Sequence, residues 1–288
     1  INYHLNYYNI IMKRRQLLQY TGTAFLTAIA TTFTSNKMPL LAQSANNGVT
    51  IQWLGHTCFL ITGNGLRILI NPYRPLGCNQ GKNPPRPTAD LVLISSQLLD
   101  EGAAENLPNN PQLLFEPGDY QINNLDFDGV LIPHENDPDF IHNGTGRKYM
   151  PNVAWVWTQS NLKLLHLGGA GASIGTNEKI FITNPDILFI PVGSPVDNDN
   201  YLKGYQPQQA INLIKELRPK IVFPTHYKTS AANDNCPLSS VEEFLTLAEE
   251  NDISYQRINS NSLGITANNL PQSTVIRVLN DSNLLNNQ

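Results

Sequence analysis

Histidine holds divalent metals and passes protons near neutral pH, so its placement is the first thing to read in this chain. Five of the six histidines follow the N-terminal forty residues, and four of these close short apolar runs. His56 follows Trp53-Leu54-Gly55, and His134 follows Leu131-Ile132-Pro133. His166 follows Leu162 to Leu165, and His226 follows Phe223-Pro224-Thr225. Runs this short and apolar are strands, and polar side chains at strand ends converge on one rim, where sites are built. A lone histidine at a strand end is usually a hydrogen-bonded structural residue; four of them point to a shared site.

The elements that must position them follow from periodicity and turn chemistry. Val49 to Leu54, Cys58 to Ile61 and Leu66 to Ile70 are apolar runs, and Thr62-Gly63-Asn64-Gly65 between the last two is a hairpin signal. Pro72 to Pro87 is a long loop of the kind that often shapes a site. Leu91 to Ile94, Leu113 to Phe115, Val130 to Ile132, Val153 to Thr158 and Leu162 to Leu165 read as strands. So do Ile187 to Val192, Ile221 to Phe223 and Thr274 to Leu279. Gln97 to Leu107 is compatible with one short helix. Gln206 to Leu217 carries Ala210, Ile211, Leu213, Ile214 and Leu217 on one helical face. Ser239 or Ser240 can cap a second helix bearing Glu242 and Glu243 in its first turn. Early hairpins followed by strand–helix alternation fit an α/β architecture of two packed sheets covered by helices.

Net charge −4 and 15% charged residues give no basic surface for nucleic acid. The N-terminus reads as an export signal. Arg14-Arg15 precede an apolar, uncharged stretch from Tyr20 to Phe33, and small residues in Leu41-Ala42-Gln43-Ser44 suit cleavage before Ala45. Residues 1–11 precede the first Met, so their translation is in doubt. The expected organisation is a twin-arginine signal over 1–44, a folded domain over 45–280 and a polar tail over 281–288. Such a chain meets the membrane only during export and works in the periplasm or an equivalent compartment. Disulfides are permitted there. Cys58 sits in a strand-like run as a small core residue. A Cys78–Cys236 disulfide requires Cα atoms within about 7 Å.

Five segments in order carry a family resemblance: GVTIQWLGHTCFLITGNGLRILINPY from Gly48 to Tyr73, DLVLISSQLLD from Asp90 to Asp100, HLGGAG from His166, Pro191-Val192-Gly193 and Pro224-Thr225-His226-Tyr227. Together they resemble the metal-dependent hydrolases of the metallo-β-lactamase superfamily, in the branch with ascorbate-phosphate lactonase and phospholipase-D-like enzymes, over 45–280. The resemblance implies an αββα sandwich of two mixed sheets flanked by helices. It also implies a His-x-His-x-Asp-His loop after Leu91 to Ile94, two metal ions and a bridging hydroxide. This chain departs from that pattern. Ser96 and Leu98 stand where the first two histidines belong, Asp100 is kept, and Glu101 replaces the last histidine. Gly169 stands where the family has its bridging Asp, while His134 and His226 match ligand positions. Asn71 takes the place of a supporting Asp, and His56 and His166 are expected as supporting residues.

The implied residual metal set is thus Asp100, His134, His226 and Glu101, with Ser96, Leu98 and Gly169 as lost positions. A zinc site wants at least three good protein ligands. The expected cofactor is none, or at most one divalent metal (Zn, Mn or Fe). Three functions follow. One is a binding or scaffolding role for a small molecule without two-metal hydrolysis. Another is a mononuclear metal-dependent hydrolase of a small ester, lactone or phosphoester, with His134 as the best acid/base. The third is metal-free hydrolysis by Ser96, which needs His134 or His226 within hydrogen-bond reach. The segment from His134 to Met150, with Glu135, Asp137, Asp139, His142, Arg147 and Lys148, is expected at the cleft mouth, where Arg147 and Lys148 can hold an anion.

The export reading is tested by changing Arg14 and Arg15 together to Lys. The precursor is expected to stay in the cytoplasm, because the receptor reads the guanidinium pair; normal export of that variant would remove the reading.

Overall fold

Thr62-Gly63-Asn64-Gly65 folds as its composition demands. Asn64 and Gly65 both take left-handed φ, 49° and 72°, the backbone of a two-residue turn whose twist matches the flanking strands. That turn joins β2 (Cys58–Gly63) to β3 (Leu66–Ile70), and a tight turn at His56-Thr57 joins β1 (Gly48–Gly55) to β2. In this computed structural model residues 48–134, 151–195 and 203–281 are described. The expected signal segment, Glu135, Asp137, Asp139, His142, Arg147, Lys148 and nearly all of the polar tail lie outside them.

The chain builds two mixed sheets. In the first, β13 (Ser262–Thr266), β1, β2 and β3 are antiparallel, and β4 (Leu91–Leu93) and β5 (Gln112–Leu114) continue parallel to β3. In the second, β6 (Gly118–Ile122), β7 (Leu125–Leu131), β8 (Val153–Gln159) and β9 (Leu162–His166) form a meander. Parallel strands β10 (Ile187–Pro191), β11 (Ile221–Thr225), β14 (Val275–Leu279) and β12 (Ser254–Ile258) extend it. Phe59 of the first sheet meets Phe189 of the second at 4.6 Å between ring centroids. Around this contact Ile51, Ile61, Ile68, Trp155, Phe223 and Ile190 are buried in one apolar cluster. The central strands β10 and β11 are buried at every position, which is why they read as unbroken apolar runs rather than alternating ones.

Three described helices pack on this frame: α1 (Thr176–Ile182), α2 (Pro207–Leu217) and α3 (Val241–Glu250). The α2 helix starts at Pro207, whose missing N–H costs nothing there. The Gln206 N–H donates to Gln209 Oε1 at 2.9 Å. Its buried face is Ala210, Ile211, Leu213, Ile214 and Leu217, as the spacing requires. Ser240 is the N-cap of α3.

The helix expected over Gln97 to Leu107 is absent; the segment is a chain of turns. Gly102, left-handed Asn106 and Pro108 deny it a helical run. Strands β6, β12 and β13 and helix α1 were not expected from sequence. Cys78 and Cys236 are joined by a disulfide with Cα atoms 4.8 Å apart, and Cys58 is free and buried. The bridge clips the Pro-rich loop to the loop that follows β11. Asn233 adds a hydrogen bond to Gln80 Oε1 at 2.8 Å.

Candidate functional site

The strand ends deliver their side chains to one place through strained backbone. His56 (φ 54°) sits in the β1–β2 turn, Asn71 (φ 49°) just after β3, and His226 (φ 51°) just after β11. Left-handed φ costs a non-glycine residue of order 1 kcal/mol, and three such residues meet around one centre. The His56 and His226 rings lie 4.4 Å apart. Asn71 is buried, accepting the Ser95 N–H at 2.8 Å on Oδ1. It thereby fixes the start of the loop that carries Ser96, Asp100 and Glu101.

That loop holds two adjacent carboxylates, and a lysine lies between them. Lys203 Nζ is 2.8 Å from Asp100 Oδ2 and 3.2 Å from Glu101 Oε1. Glu101 is fully buried, and the Lys203 side chain is only 10% exposed. Ser96 Oγ donates to Glu101 Oε2 at 2.9 Å, and Thr57 Oγ1 reaches Oε1 at 3.5 Å. Both oxygens of Glu101 are therefore engaged. Burial works against the Lys203 ammonium, but Glu101 and Asp100 outweigh it and hold its pKa above the usual lysine value. Burial likewise opposes the Asp100 carboxylate; Lys203 and then His56 override it and keep Asp100 well below the usual carboxylate range.

The histidines divide by their hydrogen bonds. His166 Nδ1 accepts the Gly168 N–H at 3.0 Å, so its proton is on Nε2, which lies 3.0 Å from the Thr57 carbonyl. Both nitrogens are satisfied by backbone, a structural arrangement. Burial pushes its pKa down to about 4. His134 Nδ1 lies 2.7 Å from the Gly169 carbonyl, so Nδ1 carries the proton, and the buried Nε2 has no hydrogen-bond partner among the described residues. Burial lowers His134 and His56 as well, with Glu101 opposing it at the first and Asp100 at the second. His226 is driven well below its usual value by burial, then by His56 and Lys203. Asn152, buried at the start of β8, ties the loops together. Its Nδ2 donates to the Ile132 and Leu167 carbonyls, each at 2.9 Å, and its Oδ1 accepts the Gly169 N–H at 2.9 Å.

A family model described as a beta-lactamase superfamily domain matches residues 50–226. The chain belongs to the metallo-β-lactamase superfamily. A UPF0173 metal-dependent hydrolase of Pelotomaculum thermopropionicum is 29% identical over 228 residues, 69% of this chain and 94% of that protein. Another UPF0173 metal-dependent hydrolase, from Methanopyrus kandleri, is 21% identical over 226 residues, 69% of this chain and 91% of that protein. Among solved structures, a proposed Zn-dependent hydrolase of the superfamily from Thermotoga maritima aligns with TM-score 0.59 and 26% identity, over 81% of this chain and all of that one. An isothiocyanate hydrolase from Delia radicum gut bacteria shares the fold at TM-score 0.57 and 13% identity, over 75% and 98% of the two chains.

Whether a superfamily metal centre fits is decided at Gly169 and Asp100. A Cβ at position 169, the first atom of a bridging Asp, would lie 2.6 Å from Lys203 Cε, 2.8 Å from Glu101 Oε1 and 2.8 Å from His134 Cε1. These atoms are pinned, so the space of the bridging carboxylate is taken. His56, Asp100 and His226 do bring one ligand atom each within 4.8 Å of one another, a spacing from which a single ion can be grasped with modest contraction. The Asp100 oxygen that His56 Nε2 faces at 3.6 Å is, however, the one held by Lys203. With that ammonium in place, an ion bound through Asp100 Oδ2 would have to share that oxygen with Lys203.

The loop after β4, the turn at His56 and the ends of β7, β9 and β11 all contribute to this centre. Asp100, Glu101, His134, Gly169 and His226 lie together, with Asn71 and His166 behind them. Glu101 is bonded to Ser96 and Lys203 and, like His134, lies outside the trio of closely spaced ligand atoms; His56, expected as a supporting residue, lies within it. The Ser96 hydroxyl pairs with Glu101 rather than with His134 or His226, which removes the histidine base that a serine nucleophile needs. Leu98 is half-buried, and its carbonyl accepts the Glu101 and Gly102 N–H groups within the turn. Lys203 and Asn152 went unnoticed in the sequence. No motif surrounds either; the one available signal was a lysine beside Gly204 in a chain with little charge.

Acid should unfold this centre. The unfolded chain protonates its histidines as pH falls through about 6.5, whereas native His166 stays neutral to about 4. Stability is therefore complete above the first value and lost as pH falls toward the second, by ~3 kcal/mol for His166 alone. His56, His134 and His226 shift the same way. Denaturant midpoints measured between about pH 7 and pH 4 should fall steadily; a flat profile would contradict the neutral, buried assignment.

Proposed function

We propose that this chain is a superfamily member that has lost two-metal hydrolysis and keeps the fold as a small-molecule-binding or scaffolding domain, exported by the twin-arginine route. The supporting observation is the network among the expected ligand positions: Ser96 donates to Glu101, Glu101 pairs with Lys203, and Glu101 and Lys203 crowd the space beside Gly169. A bridging hydroxide needs two cations about it, and the residues at Ser96, Leu98 and Gly169 supply no cage for the first.

A second reading, a mononuclear metal-dependent hydrolase of a small ester, lactone or phosphoester, is favoured by the His56, Asp100 and His226 cluster. One experiment covers both. The protein is incubated with Zn, Mn or Fe, dialysed and analysed for metal, then assayed on lactone, β-lactam and phosphodiester substrates. The expected result is fewer than two equivalents of metal and no hydrolysis. Two tightly held zinc ions with turnover would overturn the proposal. One retained ion and hydrolysis, both lost in Asp100→Ala or His226→Ala, would install the mononuclear enzyme in its place.

A further inference from the structure

Three ligand-capable atoms from loops far apart in sequence lie within 4.8 Å of one another at His56, Asp100 and His226. His56 and His226 are held there by left-handed backbone, which folding alone does not favour. The anionic member of the trio, Asp100, has its Oδ2 at 2.8 Å from Lys203 Nζ. A metal bound to that oxygen at about 2.1 Å would lie within about 5 Å of the ammonium on any approach. The ammonium cannot easily step aside, because it also holds buried Glu101 at 3.2 Å and is almost out of solvent.

We propose that Lys203 is a built-in cation that keeps divalent metal out of the His56–Asp100–His226 cluster, so that removing its charge turns the cluster into a one-metal site. The inference rests on the reading above that Asp100 no longer serves a two-metal centre. Lys203 pairs with both carboxylates, and at Asp100 it does so on the oxygen that faces His56. The ion accepted after its removal would be a divalent transition metal suited to two imidazoles and one carboxylate.

The test uses the full chain and Co(II), whose ligand-field absorption reports protein ligands directly. Wild type is compared with Lys203→Met and with Lys203→Met combined with Glu101→Gln. The double variant keeps the centre's net charge, since one cation and one anion are lost together. It therefore answers the question if the single variant, left with buried Glu101 and half-buried Asp100 and no cation, fails to fold. Wild type is expected to keep no Co(II) through dialysis and to show no visible bands. The variants are expected to hold one equivalent with affinity raised at least about 100-fold, and adding His226→Ala should abolish the bands. A folded double variant without bound metal would overturn the inference. So would a wild type that holds one ion at the cluster as tightly as the variants, a result that leaves the loss of two-metal chemistry standing. Two metals in wild type would overturn the proposed function as well.

Discussion

The ion pairs of Lys203 with Asp100 and Glu101 set the terms for everything around them. Glu101, fully buried beside half-buried Asp100, needs a positive partner, because a buried unpaired charge costs several kcal/mol. Relatives named as metal-dependent hydrolases share this fold. In this chain an ammonium reaches both carboxylates instead. Truncating one partner of such a network typically costs about 3–5 kcal/mol, since it strands the other. The Ser96 hydroxyl, the Thr57 hydroxyl and the vacant Cβ of Gly169 are consistent with that arrangement: two donors complete Glu101, and the missing side chain leaves room for the lysine stem.

The frame that holds the centre depends little on the centre's chemistry. Phe189 and Phe223 stack within the second sheet, Phe59 of the first meets Phe189 at a tilt, and His166 packs against Phe189 at 5.4 Å between centroids. The loops are pinned by Asn71 and Asn152, each bonded to backbone on neighbouring segments. A scaffold stabilised by apolar burial and side-chain–backbone hydrogen bonds can keep its shape while the residues at its rim change.

The fold was largely legible in the sequence because its central strands announce themselves. Ile187–Pro191 and Ile221–Thr225 are buried throughout, so nearly every residue in them is apolar, and Asn64-Gly65 dictates its own turn. What escaped were elements without an apolar signature. Ser254–Ile258 and Gly118–Ile122 lie at the two edges of their sheet and are half-exposed, so their pattern is polar; Thr176–Ile182 exposes Ile180 and Phe181. The site was legible only as far as type and strand end could carry it. His56, His134, His166 and His226 could be gathered because each closes a strand. Lys203 could not, because its partners at Asp100 and Glu101 are about a hundred positions away, and nothing local to it marks a lysine that is buried.

Whether Lys203 takes the place of a metal cation is tested directly by an anomalous difference map. Crystals grown in the presence of zinc would be measured at the zinc absorption edge. No peak is expected among His56, Asp100 and His226, with the Lys203 ammonium within hydrogen-bond distance of both Asp100 and Glu101. A peak bonded to those three side chains, with Lys203 turned away from Asp100, would contradict it.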